Sequence, residues 1–209
     1  VLINFVLALV IYSAILFTWG REYIPLDNAK FGLNFSQTMI DAGFRDGDKI
    51  TAVDGKKPLE LGDAIEMILI DHASSVTVDR DGKPVTIEIP EDLTQRALAS
   101  EKGVMSYRMP FVIDTVVSGS LASKAALKAG DSLVAVNGKK IDMQQEVKRE
   151  FANSKGKKIS FDYSRHGTLY RTTLTMGADG KLGVGWRNFL QTEKVKYGFF
   201  EAIPAGITT

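Results

Sequence analysis

The chain has 209 residues, 44% of them apolar and 24% charged, and its 26 basic and 25 acidic side chains leave a net charge of +1. That balance belongs to folded domains; it excludes a disordered chain and a dedicated nucleic-acid binder, which needs a strongly basic surface. No cysteine is present, so disulfides and thiolate metal sites are excluded, and the composition suits an oxidising compartment.

Residues 1–19 carry no charge, and Asn4, Tyr12, Ser13 and Thr18 are the main polar breaks in the run. As a helix rising ~1.5 Å per residue they would span ~28 Å, close to the hydrocarbon thickness of a bilayer. A transmembrane helix is predicted there, with Trp19, Arg21 and Tyr23 at the interface. A signal peptide is the alternative, but the basic leading region and the small-residue cleavage site are both missing; a buried helix of a soluble protein is a third reading. Asn4 is expected to face another helix. The chain opens on Val1 rather than Met and closes in an apolar run, so it is expected to be a piece of a longer protein.

Residues 31–35 read as a strand, and residues 38–42 as a short helix. Then comes a stretch that occurs twice. Gly47-Asp48-Lys49-Ile50-Thr51-Ala52-Val53-Asp54-Gly55-Lys56-Lys57 is matched by Gly130-Asp131-Ser132-Leu133-Val134-Ala135-Val136-Asn137-Gly138-Lys139-Lys140, an offset of 83, with eight of sixteen positions identical between 42–57 and 125–140. A fixed offset marks two copies of one unit, and ~80 residues suffice for a small core. In each copy a Gly-Asp turn opens a strand that ends in Asp54-Gly55 or Asn137-Gly138, the strongest hairpin signals because both turn residues need φ > 0.

A helix follows. In copy one Leu61, Ala64, Ile65, Ile68 and Leu69 form an amphipathic stripe. In copy two Met143, Val147 and Phe151 recur every four residues, and Asp142 with Gln145 offers a capping box. Two strand-like runs around a turn close each copy: 76–78 and 85–89 about Asp81-Gly82, then 159–163 and 169–176 about His166-Gly167. Between the copies, 91–102 is a polar linker with room for a helical turn or two. After copy two, Leu182-Gly183-Val184-Gly185-Trp186 reads as a glycine-spaced strand, and 197–207 as an interfacial segment heading for a membrane or a helix docked on copy two.

No catalytic set is complete. His72 and His166 are far apart, with no H-E-x-x-H, and no G-x-S-x-G occurs. Asp48 and Asp131 are better read as turn-fixing carboxylates than as general bases.

The order strand, turn, strand, helix, hairpin, with a small helix ahead of the Gly-Asp turn, resembles a PDZ domain in the permuted order of bacterial proteases. The residues carrying the likeness are Ala42-Gly43-Phe44, Gly47-Asp48 and Val53-Asp54-Gly55, then Ser120-Leu121-Ala122, Gly130-Asp131 and Val136-Asn137-Gly138. Copy two departs from the family pattern at Leu121, where Pro is usual, and at Ala126, where Gly is usual; copy one lacks the Ser-Pro-Ala step. The implied fold is α+β: two tandem PDZ-like domains, each a permuted, partly open β-barrel capped by helices, at 20–90 and 103–178, preceded by one transmembrane helix and followed by a strand and membrane-approaching segment at 179–209.

A PDZ unit implies a groove in which a peptide adds as a strand, its C-terminal carboxylate held by backbone N–H groups of a glycine loop. The candidate loop is Gly103-Val104-Met105 in copy two, following Lys102, with Met143 and Val147 as the opposite wall. At the same offset Gly20 falls on Gly103, beside the membrane, so copy one is expected to be structural.

Taken whole, the chain resembles the site-2 protease family of intramembrane zinc proteases, in the bacterial subgroup that activates envelope-stress sigma factors. Asn4-Phe5-Val6-Leu7-Ala8 resembles its Asn-bearing membrane helix, Leu182-Gly183-Val184 its I-G-V step, and the run from Tyr197 to Gly206 its approach to the next membrane helix. The resemblance implies an extracytoplasmic PDZ pair on the periplasmic side of a bacterial inner membrane. It implies a single-span membrane protein as substrate, filtered by size or bound through its freshly exposed C-terminal peptide. Zinc is implied for the parent protein, with ligands outside this chain, which is expected to hold no zinc and to be inert alone. The competing reading is a membrane-anchored PDZ adaptor without protease activity.

Overall fold

The computed structural model describes residues 2–99, 103–141 and 143–198. It opens with α1 (Leu2–Trp19), followed by β1 (Arg21–Tyr23), a single 3-10 turn at Leu26–Asn28, β2 (Leu33–Phe35) and α2 (Gln37–Asp41). Copy one continues through β3 (Lys49–Val53), α3 (Leu61–Leu69), β4 (Ser75–Arg80), β5 (Lys83–Glu88), α4 (Leu93–Ala99) and β6 (Met105–Tyr107). Copy two holds β7 (Ile113–Val116), α5 (Leu121–Lys124), β8 (Ser132–Val136), β9 (Lys139–Lys140), α6 (Gln144–Asn153), β10 (Lys158–Arg165), β11 (Thr168–Thr175) and β12 (Val184–Trp186). The last described strand is β13 (Glu193–Val195).

The repeat is visible step by step. Ser36 and Ser120 each cap a short helix, accepting from the N–H groups of Met39 and Ser123. The predicted turns have both central residues at positive φ: Asp54 and Gly55 at 46° and 76°, Asn137 and Gly138 at 50° and 77°. Strands bury every second residue, Val76 and Val78 in β4 and Ile159, Phe161 and Tyr163 in β10, the period of a half-buried sheet. One apolar core runs from Leu26 to Met105 and a second from Phe111 to Leu182.

The boundary between the copies falls later than the sequence suggested. β6 pairs antiparallel with β2, Leu33 opposite Tyr107, and β12 pairs antiparallel with β7. The Arg108 N–H donates to the Gly32 carbonyl just as the Arg187 N–H donates to that of Val112. Each copy is therefore completed by the edge strand that follows its hairpin. The expected linker carries α4, whose Leu93 and Ala97 are buried in the first core, and Thr94 Oγ1 donates to the Leu69 carbonyl at the end of α3.

Among the described residues no helix is long and apolar enough to cross a membrane, which corrects the transmembrane helix expected at 1–19. The 18 residues of α1 rise ~27 Å, at the short end of what spans a hydrocarbon core. Large apolar side chains project from it along its length, with Ile3, Val10 and Trp19 exposed, while Ser13 and Leu16 are buried. At its foot the chain meets its own far end: β1 pairs with β13, Arg21 opposite Val195 and Tyr23 opposite Glu193. Gly20 makes this approach possible, since at its φ of +71° a Cβ would lie 2.2 Å from the Val195 carbonyl oxygen. The segment expected to approach a membrane at 197–207 lies almost wholly outside the described residues, as do Lys102 and the expected cap Asp142.

Candidate functional site

α6 is the element around which the two copies meet. Its Val147 and Phe151 are buried in the second core, as the four-residue spacing predicts. Its N-cap is Met143, without a side-chain cap, so Gln145 is free for another task. Gln145 Nε2 donates to the Tyr107 carbonyl of β6, at 3.0 Å. One residue on, Glu146 pairs with Arg108 at 3.5 Å. The helix that walls copy two is thus fastened to the edge strand of copy one.

Between them lies a cleft of about 740 Å³, lined by Asn34, Gly103, Met105 and Ser106 of copy one and by Gln145 and Arg149 of α6. Asn34 and Ser106 are cross-strand partners on β2 and β6, so both side chains leave the sheet on the same face. Asn34 Nδ2 and Gln145 Oε1 are buried without a hydrogen-bond partner, a state that costs ~1–3 kcal/mol for each group until something pairs it. Arg149 is exposed and takes part in none of the described ion pairs. The cleft thus combines a backbone edge, an unpaired amide donor and acceptor, and a guanidinium, groups able to pair with a peptide backbone and a carboxylate.

In copy two the corresponding edge is covered by α6. β12 is an edge strand, and α6 flanks it: Gln144 Nε2 donates to the Arg187 carbonyl at 3.4 Å, and Lys148 Nζ stands 4.0 Å from the centroid of the Trp186 ring. That cation–π contact holds α6 against the end of β12.

Of the five residues singled out from the sequence, Gly103 lines the interdomain cleft, as does Met105. Val104 and Met105 have their side chains buried in the first core, and Val147 is fully buried in the second. Met143 lines a different hollow of about 350 Å³, with Arg108 and Lys30. The structure does bring the Gly103 loop to α6, but through the face bearing Gln145 and Arg149. The loop completes copy one rather than copy two, because it follows the hairpin of copy one in the chain. The signal was present: Tyr107-Arg108 recurs as Trp186-Arg187 at an offset of 79, which aligns β6 with β12 and leaves Gly20 out of any loop.

The acidic turn residues have structural partners. Asp48 and Asp131 are buried and receive bidentate bonds from Arg80 and Arg165, at 2.7 to 2.8 Å. Burial pushes the Asp131 carboxyl up, but the Arg165 guanidinium and the Lys128 N–H outweigh it and hold the group below the usual carboxylate value. His72 and His166 sit in separate turns at φ 54° and 49°. Among the described residues no group of three or more His, Cys, Asp or Glu could hold a metal, so these residues do not fit a zinc ion.

A family model described as PDZ domain matches residues 112–165, within copy two. The chain's relatives narrow the class. A protein of Neisseria meningitidis serogroup A named "Putative zinc metalloprotease" is 38% identical over 139 residues, covering 62% of this chain and 31% of its own. One of the same name from Lactococcus lactis is 28% identical, covering 75% of this chain and 42% of its own. A third, from Treponema pallidum, is 25% identical over 79% of this chain and 38% of its own. The chain is thus similar to parts of proteins named as zinc metalloproteases, and it spans between 31% and 42% of these relatives' length.

Proposed function

We propose that the chain is the regulatory, extracytoplasmic PDZ region of an intramembrane zinc protease. In this reading α1 associates with the membrane, the two copies stand above it on the periplasmic side of a bacterial inner membrane, and the zinc and its ligands belong to other parts of the whole protein. A single-span substrate with a bulky outer domain, such as an anti-sigma factor, collides with the copies. A substrate already trimmed to a short stub passes beneath, and its new C-terminal peptide docks in the cleft beside Arg149.

The β1–β13 ribbon carries the reading. It returns the chain to the foot of α1 after both copies, so the pair is held at both ends over one spot. The apolar side chains exposed along α1 support its contact with lipid.

The test uses the complete protein. Replacing residues 24–187 by a short linker that keeps β1 and β13 paired is expected to release cleavage of untrimmed substrate. Arg149→Glu is expected to keep untrimmed substrate excluded while slowing cleavage of the trimmed form. If untrimmed substrate stays uncut after the deletion, in a protein that still cleaves the trimmed form, the gating idea fails.

A further inference from the structure

The hairpins that close the two copies differ at their outer strand. In copy one β5 is the outer strand of its sheet, six residues long and opening on Lys83-Pro84. Lysine and proline are the residues that protect an edge from foreign strands. In copy two β11 is the outer strand, eight residues long, Thr-Leu-Tyr-Arg-Thr-Thr-Leu-Thr, with neither residue. Leu169 is 69% exposed and Tyr170 44%. The strand carries a single charge, Arg171, which bonds to Asp162 across the hairpin at 2.6 and 2.9 Å. The strand is strongly β-prone and its outer backbone groups face solvent.

We propose that β11 is a self-association edge, at which two copies of this chain pair antiparallel and join their sheets. The occupant follows from the register the hydrogen bonds allow. His166 and Gly167 both have positive φ, 49° and 80°, and Arg165 stands opposite Thr168, so the turn is a two-residue hairpin whose flanking pair is hydrogen-bonded. Bonding alternates along the ladder. Thr168, Tyr170, Thr172 and Leu174 are therefore bonded inward to β10, and Leu169, Arg171, Thr173 and Thr175 turn their N–H and C=O outward.

A symmetric antiparallel pair must set outward residues against outward residues, so its axis passes through a residue and not between two. The two longest such registers are centred on Arg171 and on Thr172. The first puts Arg171 against Arg171 of the second copy, which is unfavourable. The second puts Thr172 against itself, Tyr170 against Leu174 and Arg171 against Thr173, an aromatic–aliphatic pair with no like charges opposed. The strand is complementary to itself in the register that its own hairpin permits.

The chain has no cysteine, so a single introduced thiol reports the register. In the detergent-solubilised 209-residue chain, Thr172→Cys is expected to form a disulfide-linked dimer under mild oxidation, while Arg171→Cys stays largely unlinked. Sedimentation of the unaltered chain should give a dimer. Thr173→Lys, a surface change that opposes Arg171 of the second copy, should weaken it by about fivefold, and Thr173→Glu should tighten it. A chain that sediments as a monomer at ~100 µM, or linking through Arg171→Cys in preference to Thr172→Cys, overturns the proposal, as does a dimer indifferent to the charge at position 173. None of these outcomes depends on peptide binding or on proteolysis.

Discussion

Asp48 and Asp131 occupy the same step of the two copies and receive the same three bonds. Each accepts two from an arginine at the end of the following hairpin strand and one from a turn N–H, that of Arg45 or Lys128. Each arginine also donates to a carbonyl, of Gly43 or Ala126, so the Gly-Asp turn, the helix ahead of it and the hairpin are locked at one point. The motif acid was readable in the sequence; its arginine was not, because Arg80 and Arg165 lie 32 and 34 residues further on. Asp131→Asn should cost ~2 kcal/mol or more by thermal melting, somewhat under the ~3–5 of a fully buried pair because Arg165 keeps some contact with water. Acid should act on the same point. The folded-state value of Asp131 is depressed, so its contribution is fully present above the unfolded value near ~4 and is lost as pH falls through the lower, folded one. Melting temperature is expected to hold steady from pH 7 down to about 5 and to drop below about 4, with a smaller drop in Asp131→Asn.

At the level of elements, strands and helices were legible wherever period and turn chemistry agreed. β3 and α3 fall where the Gly-Asp turn, the Asp-Gly turn and the amphipathic stripe put them. What was not legible was membership: three-residue edge strands such as β6 and β12 carry no period of their own, and only pairing shows which sheet they finish. α6 was read as a helix from its apolar spacing, but Val147 was placed on a groove wall where the structure buries it in the core, Gln145 was read as a cap, and Arg149 went unremarked. Its two faces make opposite predictions. Val147→Glu buries a charge with no partner and should unfold copy two, a loss of more than ~3 kcal/mol visible in a melt. Arg149→Glu lies on the exposed face and should leave the melting temperature unchanged. Loss of stability in Arg149→Glu equal to that of Val147→Glu would mean that the cleft face is structural.

For the molecule as a whole, the ribbon is the feature that a linear reading could not supply, since its strands stand at opposite ends of the described chain, Arg21 against Val195. Further contacts run beside it: Asn28 Nδ2 donates to the Gln191 carbonyl, and Phe31 packs edge-on against Phe189. Gly20→Ala would drive a Cβ into the Val195 carbonyl. It is expected to free the ribbon while sparing both cores, read as faster amide exchange in residues 21–23 and 193–195 against unchanged exchange in β4 and β10. Equal exchange in mutant and parent would show that the ribbon tolerates the side chain.

Ends that meet also make the pair a cassette. A segment whose first and last strands are neighbours can be set between two adjacent helices of a host without moving either, because the host sees only a short bridge. It can equally be lifted out, and the host closed again across the same small gap. Tandem repeats strung end to end in open fashion hold their two ends apart by the length of two domains; this chain, by doubling back, brings Arg21 and Val195 side by side.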